Sequence, residues 1–484
     1  MMTTTKEQKK LNLFDATLLV AGSMIGSGIF IVSADMSRWA TGSGWLLLMW
    51  ALTGVITILA ALSYGELAGM MPKAGGQYVY LREAYNPLIA FLYGWAAFLI
   101  IQSGTIAAVA VAFAKFTGVL FSGVSENNIL LSVGGYTLSA AQILAVVSVL
   151  LLTFLNTLGI EYGKTILRVF TSSKLIALFG IIVLGIFVAS NKEVMKENFT
   201  NMWEMGSYVK DNATGKFSFQ TISSLMLVSV LGTAMVGSLF SSDAWNNVTF
   251  IAGEIDQPQK NIPRSLLLGT VIVTIIYILA NVAYLSVLPF HGNQDATDVL
   301  GRGIQFAQNE RVGVAAATMI FGGVATIIMA VLCMVSTFGC NNGIIMASAR
   351  VYQEMSKDGL FFNKMKDNNS NGVPAFALWT QCVWICILCL SGKYGTLLDF
   401  VMFGVMIFYI LTITGVFILR RKKPNAVRPY KTLGYPVLPA LYILLASLFC
   451  LNLLYTQSFT SFIGLAIILS GIPIYYLWAN KTKA

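Results

Sequence analysis

The chain has 484 residues, 56% of them hydrophobic and only 11% charged, against roughly 25% charged in a typical soluble domain. That balance excludes a soluble enzyme and leaves a membrane-embedded protein. The net charge of +10 reads as a topology signal and an attraction to anionic lipid; no basic-plus-aromatic pattern suggests a nucleic-acid partner.

A membrane span needs about 20 apolar residues. That criterion predicts an all-α integral membrane protein of twelve transmembrane helices, near 14–37, 45–70, 87–116, 139–160, 164–189, 221–252, 263–288, 313–349, 373–391, 395–419, 436–455 and 460–480. The charged start runs into a full-length span with no convincing cleavage site, so no cleavable signal peptide is expected. Short loops imply one integral domain. Its parts are an N-terminal tail (1–13), a first repeat of helices 1–5 (14–189) and an external loop (190–220). A second, inverted repeat of helices 6–10 (221–419) follows, then helices 11 and 12 with a short tail (420–484). The repeat is inferred from the span count and from two matching interruptions described next. With the N-terminus inside, the inner loops carry 21 Lys and Arg. The outer side carries eight: Arg38, Lys192, Lys196, Lys210, Lys216, Arg302, Arg311 and Lys393. This bias predicts that both termini are cytoplasmic.

The first interruption is GSMIGSGIF (22–30), inside an apolar segment. Non-helical chain at membrane depth survives only where it lines a cavity or is buried in protein. Gly26, Ser27 and Gly28 are expected to let the helix unwind, since glycine tolerates backbone angles other residues avoid. The half-helix that resumes presents N–H groups and a partial positive charge to an anion such as a carboxylate. A packing motif of small residues is the plainer alternative. The second interruption, LFSSDAWNN (239–247), breaks the sixth segment at Phe240, Ser241, Ser242, Asp243, Ala244 and Trp245. Unwinding there frees carbonyls for an ammonium group. Phe240 and Trp245 either cover a bound solute or pack the core. Two broken helices at corresponding places mark a secondary transporter's substrate site.

Two charges lie at membrane depth. A carboxylate there costs about 2.5–3.5 kcal/mol on insertion scales, so Asp243 has one of three roles: it binds a cationic substrate side chain, carries a proton, or pairs with Lys174. Lys174 lies in SSKLIALFG (172–180), about ten residues into helix 5 and roughly 15 Å from its end at 1.5 Å per residue. It either replaces a coupling cation against the carbonyls of helix 1, titrates, or forms a plain ion pair. Six cysteines fall within spans, and Cys382, Cys386 and Cys389 lack the His or carboxylate partners of a metal site. The sole histidine, His291, is in an external loop and supplies no relay in the membrane. Neither metal nor cofactor is expected.

Four strings resemble the amino acid–polyamine–organocation (APC) superfamily, specifically its L-type amino acid transporter branch. They are GSMIGSGIF, YGELAGMMPKAGGQYVYLREAY (64–85), LFSSDAWNNVTFIAGEI with NIPRS following (239–265), and STFGCNNGIIMASARVYQEMSKDG (336–359). The resemblance implies the LeuT-type 5+5 inverted repeat plus two additional helices. It implies that N–H groups around Ser27 and Gly28 take the substrate carboxylate. Carbonyls of Met24, Phe240, Ser241 and Asp243 take the α-amino group, and Phe240 and Trp245 match the gating aromatic and the helix 6 tryptophan. Lys174 matches the family's helix 5 lysine, which implies sodium-independent transport with contacts to the helix 1 break and Ser336 or Thr337. The chain departs from the family in having Asp243–Ala244 where many relatives have two small residues. Some members that handle cationic amino acids are acidic there. No cysteine occurs in 117–138, where eukaryotic members bind a glycoprotein subunit, so no disulfide-linked partner is expected and a bacterial cytoplasmic (inner) membrane is.

The expectation is a sodium-independent amino acid exchanger of neutral and, in one reading of Asp243, cationic amino acids, working by alternating access. The rival within that class is a proton-coupled symporter. A transporter-like nutrient receptor is weaker, since 13 residues before the first span and about four after the last leave no signalling domain. An intramembrane enzyme lacks paired carboxylates or a His constellation, and a channel would not have two broken helices.

Overall fold

In a computed structural model, which describes residues 10–133, 136–211, 214–391 and 394–481, the first apolar segment breaks within its GSMIGSG stretch. Helix α1 (Leu13–Met24) starts on a capping box, with Asn12 accepting from the Asp15 N–H and Asp15 reaching back to the Asn12 N–H. Helix α2 (Gly28–Trp39) resumes bent by 42°. The bend is set by Ile25, whose ψ of 96° ends α1. None of Gly22, Gly26 and Gly28 is left-handed, which corrects the expectation that glycine's angular freedom makes the break. Their smallness is used instead. A Cβ on Gly28 would fall 2.7 Å from the Ser241 Cβ, and one on Gly22 would fall 2.5 Å from the Thr171 Oγ1.

Helix α3 (Ser43–Met70) returns across the bundle, and α4 (Gln77–Ala84) lies between the second and third predicted spans. Then α5 (Pro87–Ala96) runs through a π-helical turn, Ala97–Ile101, into α6 (Gln102–Leu120). Strands β1 (Ile129–Val133) and β2 (Tyr136–Ser139) pair antiparallel before α7 (Ala140–Thr157) and α8 (Ile160–Val183). The 190–220 stretch is not a simple loop. It holds α9 (Lys192–Thr200) and a hairpin of β3 (Gly206–Lys210) and β4 (Phe217–Thr221). The chain is therefore helical within the bundle but not strictly all-α.

The second half repeats the theme. Helix α10 (Ser224–Ser241) stops at the second break, and 3-10 turns over Trp245–Thr249 and Ala252–Glu254 lead to α11 (Pro258–Val287). After the short α12 (Val299–Arg302), the eighth predicted segment is two helices, α13 (Val312–Phe321) and α14 (Ala325–Lys357), separated by Gly322–Val324. Gly322 has a φ of 64°, and the Gly322–Gly323 pair is the local sequence signal for this break. Helix α14 also continues eight residues past the predicted end at 349. Helices α15 (Ala375–Ser391), α16 (Tyr394–Lys422), α17 (Val437–Thr456) and α18 (Ser458–Lys481) complete the chain.

Among the described residues, ten helical stretches are long and apolar enough to cross a membrane, and the bent α1–α2 pair is an eleventh. Helix α15 is apolar but has 17 residues. Of the topology charges, those in residues 1–9, Lys393 and Lys483 lie outside the described residues, as do positions 134–135 and 212–213 of the longer loops. Helices α1, α3 and α11 pack together, with α14 against α6 and α8, so both breaks lie inside the bundle. Close approach rests on small residues, as expected where lipid removes the hydrophobic drive between helices: a Cβ on Gly269 of α11 would meet the Val20 Cγ1 at 2.4 Å. The face where α1 begins is called the N-face, and the opposite one the hairpin face.

Candidate functional site

The last carbonyls of α1 have no partner within their helix, and a buried helix end must find them elsewhere. Each is met by a side chain from another helix. Lys174 of α8 donates its Nζ to the Gly22 carbonyl at 2.7 Å and to the Ile25 carbonyl at 2.5 Å. The Cys340 thiol of α14 reaches the Ser23 carbonyl at 3.0 Å. Tyr277 of α11 donates to the Met24 carbonyl at 3.1 Å. Ser336 of α14 donates to the Ile25 and Gly26 carbonyls at 3.1 and 3.0 Å. A fully buried ammonium thus caps the negative end of the half-helix, where a cation is favoured.

Lys174 is deeper than expected. Helix α8 begins at Ile160, four residues before the predicted start, which places the lysine on the order of 20 Å along it. Ser336 is at the break as expected. Thr337 is not: its hydroxyl donates back to the Cys333 and Met334 carbonyls of its own helix.

The second break faces the first. Ser242 ends α10, and Ala244 sits in the left-handed region with φ 63° and ψ 6°. Such a conformation costs a non-glycine residue roughly 1–2 kcal/mol, and strain of this kind concentrates at functional sites. Ala244→Gly relieves it but adds about 0.5–1 kcal/mol of unfolded-chain entropy. A net stabilisation of up to about 1.5 kcal/mol is therefore expected, read as a higher unfolding midpoint in detergent; a lower midpoint counts against strain at this position.

Tyr277 joins the two breaks. Its hydroxyl lies 2.9 Å from the Ser241 carbonyl as well as 3.1 Å from that of Met24. The Phe240 carbonyl accepts from the Asp243 N–H at 3.1 Å. Of the carbonyls expected to hold an α-amino group, that of Phe240 thus has a backbone donor, and those of Met24 and Ser241 share the one Tyr277 hydroxyl proton in this closed form.

Asp243 does not pair with Lys174, which corrects that reading. Its Oδ1 accepts from the Tyr409 hydroxyl of α16 at 2.6 Å, while Lys174 is committed to α1 carbonyls. Trp245 is 2% exposed and packs edge-on against Tyr64 at 4.8 Å and tilted against Tyr409 at 5.2 Å. In this form it braces the residues around Asp243. Beyond it runs a chain of buried amides. Asn246 donates to Gln77 at 3.0 Å, Gln77 to Thr412 at 3.0 Å, and Gln102 to Asn247 at 3.3 Å. A cleft among Asp243, Gln102, Asn246 and Tyr409 has about 10 Å³, room for about one water. Met24, Ser27, Phe240, Ser241, Asp243, Ala244 and Trp245 are all buried. The site is shut to both faces.

Tyr277, Tyr409, Cys340 and the Gln77–Gln102–Asn246 set escaped the sequence reading. The amides left a signal, since uncharged polar side chains inside apolar segments need buried partners. The tyrosines left none.

Two facing helix breaks at mid-bundle, one capped by a buried lysine, are the architecture of a secondary transporter. The chain belongs to the amino acid permease family, whose profile matches residues 11–478, within the APC superfamily. It is 29% identical over 486 residues to the large neutral amino acids transporter small subunit 2 of Mus musculus, covering 98% of this chain and 82% of that protein. It is 29% identical to the serine/threonine exchanger SteT of Bacillus subtilis (strain 168), covering 99% and 98% respectively. It is 26% identical to the b(0,+)-type amino acid transporter 1 of Mus musculus, covering 98% and 89%. The family and these relatives are transporters, not enzymes.

Proposed function

We propose that this protein is a sodium-independent amino acid exchanger working by alternating access, with the substrate held between the two helix breaks. The observation that carries the proposal is the Lys174 ammonium on the Gly22 and Ile25 carbonyls. It supplies as a fixed charge what a bound cation would supply at that helix end, so no metal ion is needed to stabilise the break. The carboxylate binds at the start of α2, around Gly26, Ser27 and Gly28. The α-amino group takes the carbonyls of Met24, Ser241 and neighbouring residues, displacing the Tyr277 hydroxyl. Phe240 closes over the substrate, Ala244 shapes the break, and Trp245 backs it. The surrounding fold is twelve spans, with α15 as the ninth, in a LeuT-type 5+5 inverted repeat plus two additional helices. Both termini are cytoplasmic in a bacterial inner membrane, and no disulfide-linked subunit is required.

Relatives named for large neutral amino acids and for serine/threonine exchange support neutral substrates. Asp243, buried beside the cleft, supports cationic ones as well. The same buried carboxylate favours one rival, a proton-coupled symporter. Proteoliposomes loaded with one amino acid separate the two in sodium-free buffer. Uptake of labelled leucine, serine or arginine that requires internal amino acid and ignores an imposed pH gradient is expected. Uptake into empty vesicles that rises with external acidity would overturn the exchanger in favour of the symporter.

A further inference from the structure

Each half of the first broken helix ends in one buried charge, and each charge is held by a different wall of the protein. At the N-face, Asp15 of α1 is 0% exposed. Its carboxylate accepts from the Arg168 Nε at 2.5 Å and lies 3.3 Å from the Lys164 Nζ, both on α8. At the hairpin face, Arg38 in the last turn of α2 is 5% exposed. Its NH2 lies 2.7 Å from Glu310 and 3.1 Å from Asp35, and its NH1 donates to the Gln305 carbonyl at 2.8 Å. The guanidinium also sits 5.0 Å over the Phe217 ring of β4.

Both charges complement the dipole of their own half-helix, which alone would explain their sign. It does not explain their reach. Asp15 ties α1 to α8, and Arg38 ties α2 to the loop between α12 and α13. The loop answers: Gln305 donates its side-chain amide to the Ser37 carbonyl at 3.2 Å. The turn that presents Glu310 is itself strained, with φ 52° at Asn309 and 64° at Glu310. Two successive left-handed non-glycine residues persist only where the surroundings hold them. Opening the site toward either face requires the half-helix on that face to leave its wall, so each charge resists only its own face.

We propose that Asp15 and Arg38 are opposed latches: Asp15 with Lys164 and Arg168 holds the N-face shut, Arg38 with Glu310 and Gln305 holds the hairpin face shut, and their balance sets which side binds substrate more tightly. Both are positioning residues, remote from the substrate. The proposal rests on alternating access as described above. A carrier's apparent affinity from one side scales with the fraction open to that side. The ratio of the two half-saturation constants therefore follows the conformational equilibrium.

The test is amino acid exchange in proteoliposomes of determined orientation, with half-saturation measured from each face for wild type, Arg38→Gln, Asp15→Asn and the double variant. Arg38→Gln is expected to shift the ratio about tenfold toward tighter binding from the hairpin face, equivalent to about 1.4 kcal/mol. Asp15→Asn shifts it toward the N-face, and the double variant returns near wild type. Arg38→Lys, which keeps the charge, is expected to shift the ratio by less than Arg38→Gln. If Asp15→Asn does not fold, Lys164→Met and Arg168→Gln each remove one partner and are expected to shift the ratio the same way by less. Single variants that move the ratio in the same direction, or leave it within about twofold of wild type, overturn the latches. Absence of exchange by the wild-type protein would instead count against the transporter reading itself.

Discussion

Lys174→Met is expected to lower exchange at least about a hundredfold while the protein still reaches the membrane and unfolds cooperatively in detergent. The ammonium makes two hydrogen bonds to carbonyls, and bonds to a charged group contribute about 1.5–3 kcal/mol each. Losing about 3 kcal/mol of support for the break geometry corresponds to about a hundredfold. Methionine fills the same space without a charge, so the fold suffers less than the site. The Gly22 carbonyl would lose the lysine, and the Ile25 carbonyl would keep the Ser336 hydroxyl. The graded control follows from that: Ser336→Ala removes one neutral donor, shared between two carbonyls of the same break, and is expected to cost roughly threefold to tenfold, at about 0.5–1.5 kcal/mol. Exchange by Lys174→Met within about threefold of wild type would show that the lysine does not organise the break, since a lost charged bond costs more than that.

How much of this site was legible in the chain depended on whether a residue's meaning is local. The breaks were legible because Gly, Ser and Asp inside apolar segments have no ordinary place there. Lys174 was legible for the same reason. Tyr277 was not: a tyrosine in an apolar run looks the same whether it faces lipid, core or an orphan carbonyl. Its role exists only because α11 packs along α1 and places the hydroxyl between Met24 and Ser241. Tyr409 was hidden likewise, and with it the fact that Asp243 already has a donor. The partner choice among three readings of Asp243 was a tertiary question, which spacing does not answer. Hydropathy predicted twelve spans, of which ten and the bent α1–α2 pair are long and apolar enough among the described residues, and it did not locate their ends. Helix α14 runs on to Lys357 through polar positions whose partners are distant, such as Arg350 on Glu254. The hairpin of β3 and β4 sits in a stretch with alternation too short to stand out, and its place is fixed by contacts such as Gly206 with Thr41.

The closed site also explains why the two halves of the first helix need separate anchors. Side chains satisfy the five carbonyls from Gly22 to Gly26. The two half-helices are bent by 42° at the break, and each is held by its own wall, Asp15 on α8 and Arg38 on the loop between α12 and α13. Tyr277 is the exception that couples them to the second break, through Met24 and Ser241. In the binding mode proposed above, a substrate ammonium takes the place of the Tyr277 hydroxyl at those two carbonyls.

Asp243→Asn is expected to lower arginine and lysine exchange about a hundredfold and to leave leucine and serine within about threefold. Breaking a buried, hydrogen-bonded charge pair costs about 2–5 kcal/mol, and about 3 kcal/mol is roughly a hundredfold. Neutral side chains make no such pair and lose nothing comparable. The substitution keeps the local structure, because the asparagine carbonyl oxygen still accepts from the Tyr409 hydroxyl that Asp243 now holds. That retained bond makes the experiment discriminating. A purely structural Asp243 would be replaced by asparagine with little loss for any substrate. A proton-carrying Asp243 would lose neutral and cationic transport together, because asparagine does not titrate. Only a carboxylate that meets the substrate's own charge separates the two classes. The cleft it shares with Gln102 and Asn246 has room for about one water in the closed form. A long cationic side chain must therefore displace the Tyr409 hydroxyl or draw α16 away from α10, and initial rates of labelled arginine and leucine exchange on Tyr409→Phe report which. Removing the hydroxyl frees the carboxylate for the substrate: arginine half-saturation tightens if the hydroxyl competes for Asp243, and weakens if it orients it.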